Sequence, residues 1–176
     1  MPVLLLGLEV FPVTFMLTVM LTSVILPRLV RAHAGQRILE IGPAWHKTKE
    51  GTPTMGGIAP ITAATLATVV FAVVLKRTAS VNLAPWLLTL LFALANASVG
   101  ILDDLTKLRL SQNRGLTPLQ KLVLQSGIAA AYLGLLQIWG ICSTDVQLPF
   151  TGRMLHMGWF WYPIFFLTII WFVNCA

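Results

Sequence analysis

The sequence predicts an all-α polytopic membrane protein with five transmembrane helices, the last of them cut short. Three observations carry that class. Of 176 residues, 57% are hydrophobic and only 10% are charged, whereas soluble domains carry about 25% charged residues. The apolar residues gather into five runs, at roughly 2–26, 58–75, 85–102, 122–141 and from 159 to the end. A helix of about 20 apolar residues crosses the hydrocarbon core of a bilayer. The second and fourth runs lack the polar stripe of a soluble amphipathic helix, so a very apolar soluble bundle is the poorer reading.

In the first run Glu9 and Pro12 interrupt the pattern without breaking it. The run is too long for a signal-peptide core, has no basic segment before it, and no small-x-small site follows Leu26. Segment 27–57 then holds Gly35, Gly42, Pro43, Gly51, Pro53, Gly56 and Gly57; so many helix breakers predict a shaped loop. Asn96 and Ser98 interrupt the third run, and a second loop is expected over 103–121. There Thr117-Pro118 reads as a helix N-cap followed by proline at the first helical position. Between runs four and five, weak alternation around Val146-Gln147-Leu148 and Met154-Leu155-His156 predicts a short hairpin. Trp159, Trp161, Trp171 and Tyr162 suggest an interfacial aromatic belt. The fifth run stops near Asn174 with neither cap nor basic anchor. The expectation is therefore a single transmembrane domain, 1–176, forming the amino-terminal half of a larger protein.

Orientation follows from the basic residues. Arg28, Arg31, Arg37, Lys47, Lys49, Lys107, Arg109, Arg114 and Lys121 fall between runs one and two or three and four; only Lys76, Arg77 and Arg153 fall between the others. The positive-inside rule places loops 27–57 and 103–121 in the cytoplasm and the amino terminus outside. The net charge of +6 then reads as topology and as attraction to anionic headgroups or phosphates, not to nucleic acid. Cys142 and Cys175 fall at opposite ends of spans, which makes a disulfide between them implausible, and neither has metal-ligand spacing.

The residues that could do chemistry face the cytoplasm. Asp103 and Asp104 end the third run; adjacent carboxylates at a membrane surface repel unless a cation lies beside them, which points to a divalent metal, a phosphate, or both. The plainer reading is an interfacial acidic pair balanced by Lys107 and Arg109. An acidic pair at a helix C-terminus opposes the macrodipole, which argues for function. Segment Lys47 to Gly57, with Thr48, Lys49, Thr52, Thr54, Gly56 and Gly57 just before an apolar helix, has the makings of an anion site, though an interfacial turn has the same composition. Arg114 and Lys121 could reach a phosphate from the same side, or simply snorkel. His33 and His46 lie in the first loop and His156 on the outer side, without zinc spacing. No Walker A loop and no nucleophile elbow is present. An acidic pair, a Gly/Thr/Lys loop and several cations on one face suit transfer of a phosphoryl-linked group from a soluble nucleotide to a membrane-resident phosphate, with a metal neutralising charge. A transporter subunit with an ion site is the alternative of another class; its ionisable groups should lie at mid-membrane, and runs two to four hold none.

Gly35-Gln36, Gly42-Pro43, His46, Lys49, Gly51-Thr-Pro-Thr-Met-Gly-Gly57, Gly100-Ile-Leu-Asp-Asp104, Asn113-Arg-Gly-Leu116 and Gln120-Lys121-Leu122 together resemble the phospho-N-acetylmuramoyl-pentapeptide transferases, within the polyprenyl-phosphate N-acetylhexosamine-1-phosphate transferases. The resemblance implies a Mg²⁺-dependent reaction of UDP-N-acetylmuramoyl-pentapeptide with undecaprenyl phosphate, giving lipid I and UMP for peptidoglycan synthesis at the bacterial inner membrane. It implies Asp103 as base toward the lipid phosphate, Asp104 as its partner near metal and diphosphate, and Lys121 as a catalytic cation. Lys49, Thr52, Thr54, Gly56, Gly57, His46 and Arg114 would line the nucleotide and phosphate cleft. Direct attack and a covalent aspartyl intermediate both stay open. The family also suggests a homodimer. A transferase of the same superfamily that moves N-acetylglucosamine-1-phosphate is the enzymatic alternative. Asn174 matches the start of the family's N-x-x-N-L-T-D-G segment and the rest is absent, as are a later aspartate and a histidine-rich loop. The family has ten spans. The chain by itself is therefore expected not to turn over.

Overall fold

The computed structural model describes residues 2–31, 55–78, 82–110, 115–148 and 151–175. Five α-helices follow in order: α1 (Pro2–Arg31), α2 (Ile58–Thr78), α3 (Ala84–Leu110), α4 (Pro118–Ile138) and α5 (Trp161–Cys175). All five are long and apolar enough to cross a membrane. At 1.5 Å per residue, the 21 residues of α2 reach about 31 Å, one hydrocarbon thickness.

Hydroxyl and amide side chains on these helices mostly turn back on their own backbone, as an apolar surround demands. Thr14 donates to Val10 O, Thr62 to Ile58 O, Asn96 Nδ2 to Phe92 O and Thr168 to Ile164 O, all at 2.7–3.0 Å. Pro12 and Pro27 are accommodated inside α1, where each removes one N–H from the ladder.

The chain divides into two compact units. The first comprises residues 1–83 and 100–117. In it α1 and α2 pack together, and α2 buries one stripe at every fourth position: Ala59, Ala63, Ala67, Phe71 and Leu75. Small residues at the start of that stripe let a neighbouring backbone come close, which is how helices associate where no hydrophobic effect drives them. The second unit comprises 84–99 and 118–176. Its core is Leu88, Leu133, Leu136 and Trp161. Phe92 stacks on Tyr132 at 4.5 Å, and the Thr89 and Tyr132 hydroxyls meet at 3.1 Å. The Tyr162 hydroxyl donates to Gln137 Oε1.

Three expectations change. Helix α3 does not stop at Leu102 but runs to Leu110, so Asp103 and Asp104 lie inside a helix and not in a loop. Their supposed conflict with the C-terminal dipole falls away, because Lys107 and Arg109 occupy the last turn instead. Trp161 is 4% exposed and stacks on Phe165 at 4.2 Å; it is core and not part of a belt, whereas Trp159 and Trp171 are exposed. Likewise α1 continues through Pro27 to Arg31, which shortens the first loop.

Other expectations hold. Helix α4 opens at Pro118, directly after Thr117. It ends where Gly140, at φ 60°, takes the left-handed cap: its N–H donates to Gln137 O and that of Ile141 to Leu136 O, both at 3.0 Å. The short hairpin is present as β1 (Asp145–Gln147) and β2 (Met154–His156), antiparallel, with Asp145 opposite His156. Asp145 Oδ1 and His156 Nδ1 meet at 2.7 Å. A 3₁₀ turn, Gly158–Phe160, leads into α5.

Candidate functional site

Asp103 and Asp104 are neighbours on α3, and adjacent helical positions point about 100° apart. Lys107 is four residues beyond the first and three beyond the second, which puts it angularly between them, one turn further on. The geometry bears this out. Lys107 Nζ stands 2.7 Å from Asp103 Oδ2 and 3.2 Å from Asp104 Oδ1.

The other oxygen of each carboxylate is held by backbone. Asp103 Oδ1 accepts the N–H of Leu116 at 2.8 Å. Asp104 Oδ2 accepts the N–H of Met55 at 3.0 Å. Each aspartate thus fixes a different segment to the same turn of α3: one from the approach to α4, the other from the approach to α2. Their surroundings differ. Asp103 is 6% exposed, whereas the Asp104 side chain is 27% and that of Lys107 24% exposed. A buried carboxylate needs a cation and full hydrogen bonding to keep its charge, and Asp103 has both.

The Met55 segment is shaped for this contact. Met55 has φ 68°, a left-handed conformation uncommon outside glycine. Its carbonyl accepts the N–H of Ile58 at 3.1 Å, so the peptide groups of Met55 both open α2 and grip Asp104. The sequence marks the Gly-rich start of α2 as an anion site, and the anion found at the Met55 N–H is the protein's own Asp104. Gly56 and Gly57 are exposed in the intervening turn.

The Leu116 segment depends on Gly115. A Cβ built on Gly115 would fall 2.7 Å from Asp103 Cγ and 2.9 Å from its carbonyl oxygen, closer than any real side chain sits. The absence of a side chain is what lets the strand lie against α3 and deliver the Leu116 N–H.

Of the residues expected from sequence, the structure therefore joins Asp103 and Asp104 and brings the turn containing Gly56 and Gly57 beside the latter. Lys121 lies in the first turn of α4. Asn174 turns back on α5, donating to Ile170 O at 2.8 Å. His46, Lys49, Thr52, Thr54 and Arg114 lie outside the described residues. Sequence reasoning missed Met55 and Gly115, and treated Lys107 as a mere balancing charge, although its i+3 and i+4 spacing from the pair was visible.

Two carboxylate oxygens aimed at one cation position are a fitting start for Mg²⁺, which takes one or two carboxylates and completes its shell with phosphate oxygens and water. Among the described residues no cluster of three or more His, Cys, Asp or Glu assembles. The remaining positions would fall to substrate and solvent.

Comparison with known proteins places these residues in context. Residues 86–176 match the family described as glycosyl transferase family 4, and residues 49–59 match signature 1 of phospho-N-acetylmuramoyl-pentapeptide-transferase. The Met55–Asp104 contact therefore ties one matched stretch to the other. The chain is 34% identical over 166 residues to the phospho-N-acetylmuramoyl-pentapeptide-transferase of Listeria monocytogenes serotype 4b, covering 94% of this chain and 50% of that protein. It is 36% identical over 158 residues to the transferase of that name from Halalkalibacterium halodurans, covering 89% and 47%. For Oceanobacillus iheyensis the figures are 38% over 151 residues, 85% and 44%. The chain spans about half the length of these relatives.

Proposed function

The chain belongs to glycosyl transferase family 4, and on that premise we propose that it forms part of a phospho-N-acetylmuramoyl-pentapeptide transferase. The donor is UDP-N-acetylmuramoyl-pentapeptide, the acceptor undecaprenyl phosphate, and the products lipid I and UMP. An oxygen of the lipid phosphate attacks the sugar-bearing phosphorus of the donor. The bond from that phosphorus to the bridging oxygen breaks, and the bridging oxygen leaves with UMP. The observation that supports this reading best is the convergence of Asp103 Oδ2 and Asp104 Oδ1 on one cation position.

Those two oxygens would hold Mg²⁺, which would neutralise the diphosphate and stabilise the departing phosphate. Asp103 would take a proton from the lipid phosphate, and Asp104, the more open of the two, would face the diphosphate. Lys121 would share the developing negative charge, with Lys49, Thr52, Thr54, His46 and Arg114 contributing to the nucleotide cleft, where Gly56 and Gly57 let a phosphate approach the backbone. Asn174 would line the same cleft. The soluble donor fixes the active face as cytoplasmic, at the inner membrane of a bacterium, with the amino terminus outside and a homodimer as the assembly.

The test uses the protein expressed from its complete reading frame, in detergent or nanodiscs with undecaprenyl phosphate. Asp104→Asn should lower Mg²⁺-dependent UMP release about 10²- to 10³-fold, the scale of losing one preorganised electrostatic group. A near-normal rate would refute the role of the acidic pair. Release from UDP-N-acetylglucosamine in place of the muramoyl pentapeptide would move the protein to the neighbouring specificity.

A further inference from the structure

Lys107 occupies the position where the two carboxylates point. Each aspartate has one oxygen committed to a backbone N–H, from Leu116 or Met55, and the other turned to Lys107 Nζ. The backbone contacts fix the carboxylates from behind, so their free oxygens converge with or without the lysine. An ammonium and a divalent cation cannot share the same two oxygens, because like charges so close repel strongly where water is scarce. Lysine is also the residue suited to give way: its charge sits at the end of a flexible four-carbon stem, and its three donors rotate freely. The side chain is 24% exposed, so it has an open side to move into.

We propose that Lys107 is the resident counter-ion of the acidic pair, displaced by the incoming divalent cation and thereby turned toward the phosphates of the substrate. The proposal rests on the reading that Asp103 and Asp104 hold a metal, and it adds a gate to that reading. Without metal, Lys107 keeps two adjacent carboxylates charged and correctly aimed. With metal, the released ammonium becomes a phosphate ligand, so metal loading and substrate capture are coupled through one side chain. A lysine with a purely structural part would behave oppositely, because its loss would spoil the pair and weaken metal binding.

Mn²⁺ affinity, followed by the loss of the free-ion electron paramagnetic resonance signal, separates these outcomes on the full-length protein in nanodiscs. Lys107→Met should bind Mn²⁺ about tenfold more tightly than the unaltered protein, since a competing unit charge a few ångströms away is gone. It should release UMP more slowly despite its better metal site. Lys107→Arg, which keeps the charge, should bind Mn²⁺ no more tightly than the unaltered protein. Unchanged or weaker binding by Lys107→Met would overturn the proposal, as would an arginine variant as tight as the methionine one. Should the methionine variant fail to fold, the unaltered protein gives the same answer: Mn²⁺ should speed acylation of Lys107 by an amine-reactive reagent, read by peptide mass spectrometry, and no acceleration would overturn it. Asp104→Asn identifies which idea has failed. If Mn²⁺ binding survives that change intact, the metal reading of the pair falls and this proposal with it. If binding depends on Asp104 but ignores Lys107, only the displacement falls.

Discussion

Gly115 shows how much one missing side chain can carry. Any substituent there meets the Asp103 carboxylate and its carbonyl, so Gly115→Ala must push either the strand or the aspartate away. We expect Gly115→Ala to lose at least ~10-fold in UMP release while remaining folded, because geometry supplied by a supporting contact is worth that much when shifted by about an ångström; retention of full rate would refute it. The aspartate pair was legible from two letters at the end of an apolar run, and Lys107 from its helical spacing. Met55 was not. A methionine followed by two glycines gives no cue that it, and not a glycine, takes the left-handed conformation; that depends on Asp104, distant in sequence, reaching its N–H. Cys142 offers a separate check. Burial raises its thiol above the ordinary range, and only the thiolate reacts quickly. Maleimide labelling of Cys142 should be slow near pH 7 and still climbing at a pH where an ordinary thiol levels off; a plateau at the ordinary pH would contradict the buried setting.

At the scale of elements, hydropathy located the spans and misjudged where they end. Counting apolar residues finds where a helix enters the headgroups, not where it stops. Helix α3 runs on to Leu110 because Lys107 and Arg109 suit its last turn and Lys107 pairs with the aspartates one turn back. Trp161 was misread for a related reason. Aromatic residues near a membrane boundary have the same composition whether they face lipid or core, and only the neighbouring Leu88, Leu133 and Leu136 decide. The Thr89–Tyr132 contact joins α3 to α4 across an apolar setting. Tyr132→Phe should keep the stacking on Phe92 and cost about 0.6 kcal/mol, the average for hydrogen bonds between membrane helices, measured by denaturation in mixed micelles. A loss of several kcal/mol would mean that the ring packing had been disturbed as well.

For the whole molecule, five long apolar helices and a basic-residue bias made the architecture readable before any coordinate was known. The bias of nine against three also predicts sidedness, which helices alone do not carry. In a background lacking Cys142 and Cys175, Arg153→Cys should react with a membrane-impermeant maleimide on intact cells, and Arg109→Cys only after permeabilisation. The reverse pattern would invert the topology and remove the acidic pair from the nucleotide's side. What the sequence could not convey is how the segment before α2 finds α3, since such pairings rest on backbone groups that every residue possesses.

The two contacts of the acidic pair close chain loops of very different size. Asp103 and Leu116 are 13 positions apart, while Met55 and Asp104 are 49 apart. Since closure entropy grows with the logarithm of loop length, the longer loop costs about 1 kcal/mol more to shut. The neighbouring aspartates therefore close in sequence: the short loop first, the long one afterwards onto a helix turn already ordered. Opening should follow the reverse order, with the Met55 amide trading its hydrogen for deuterium before that of Leu116.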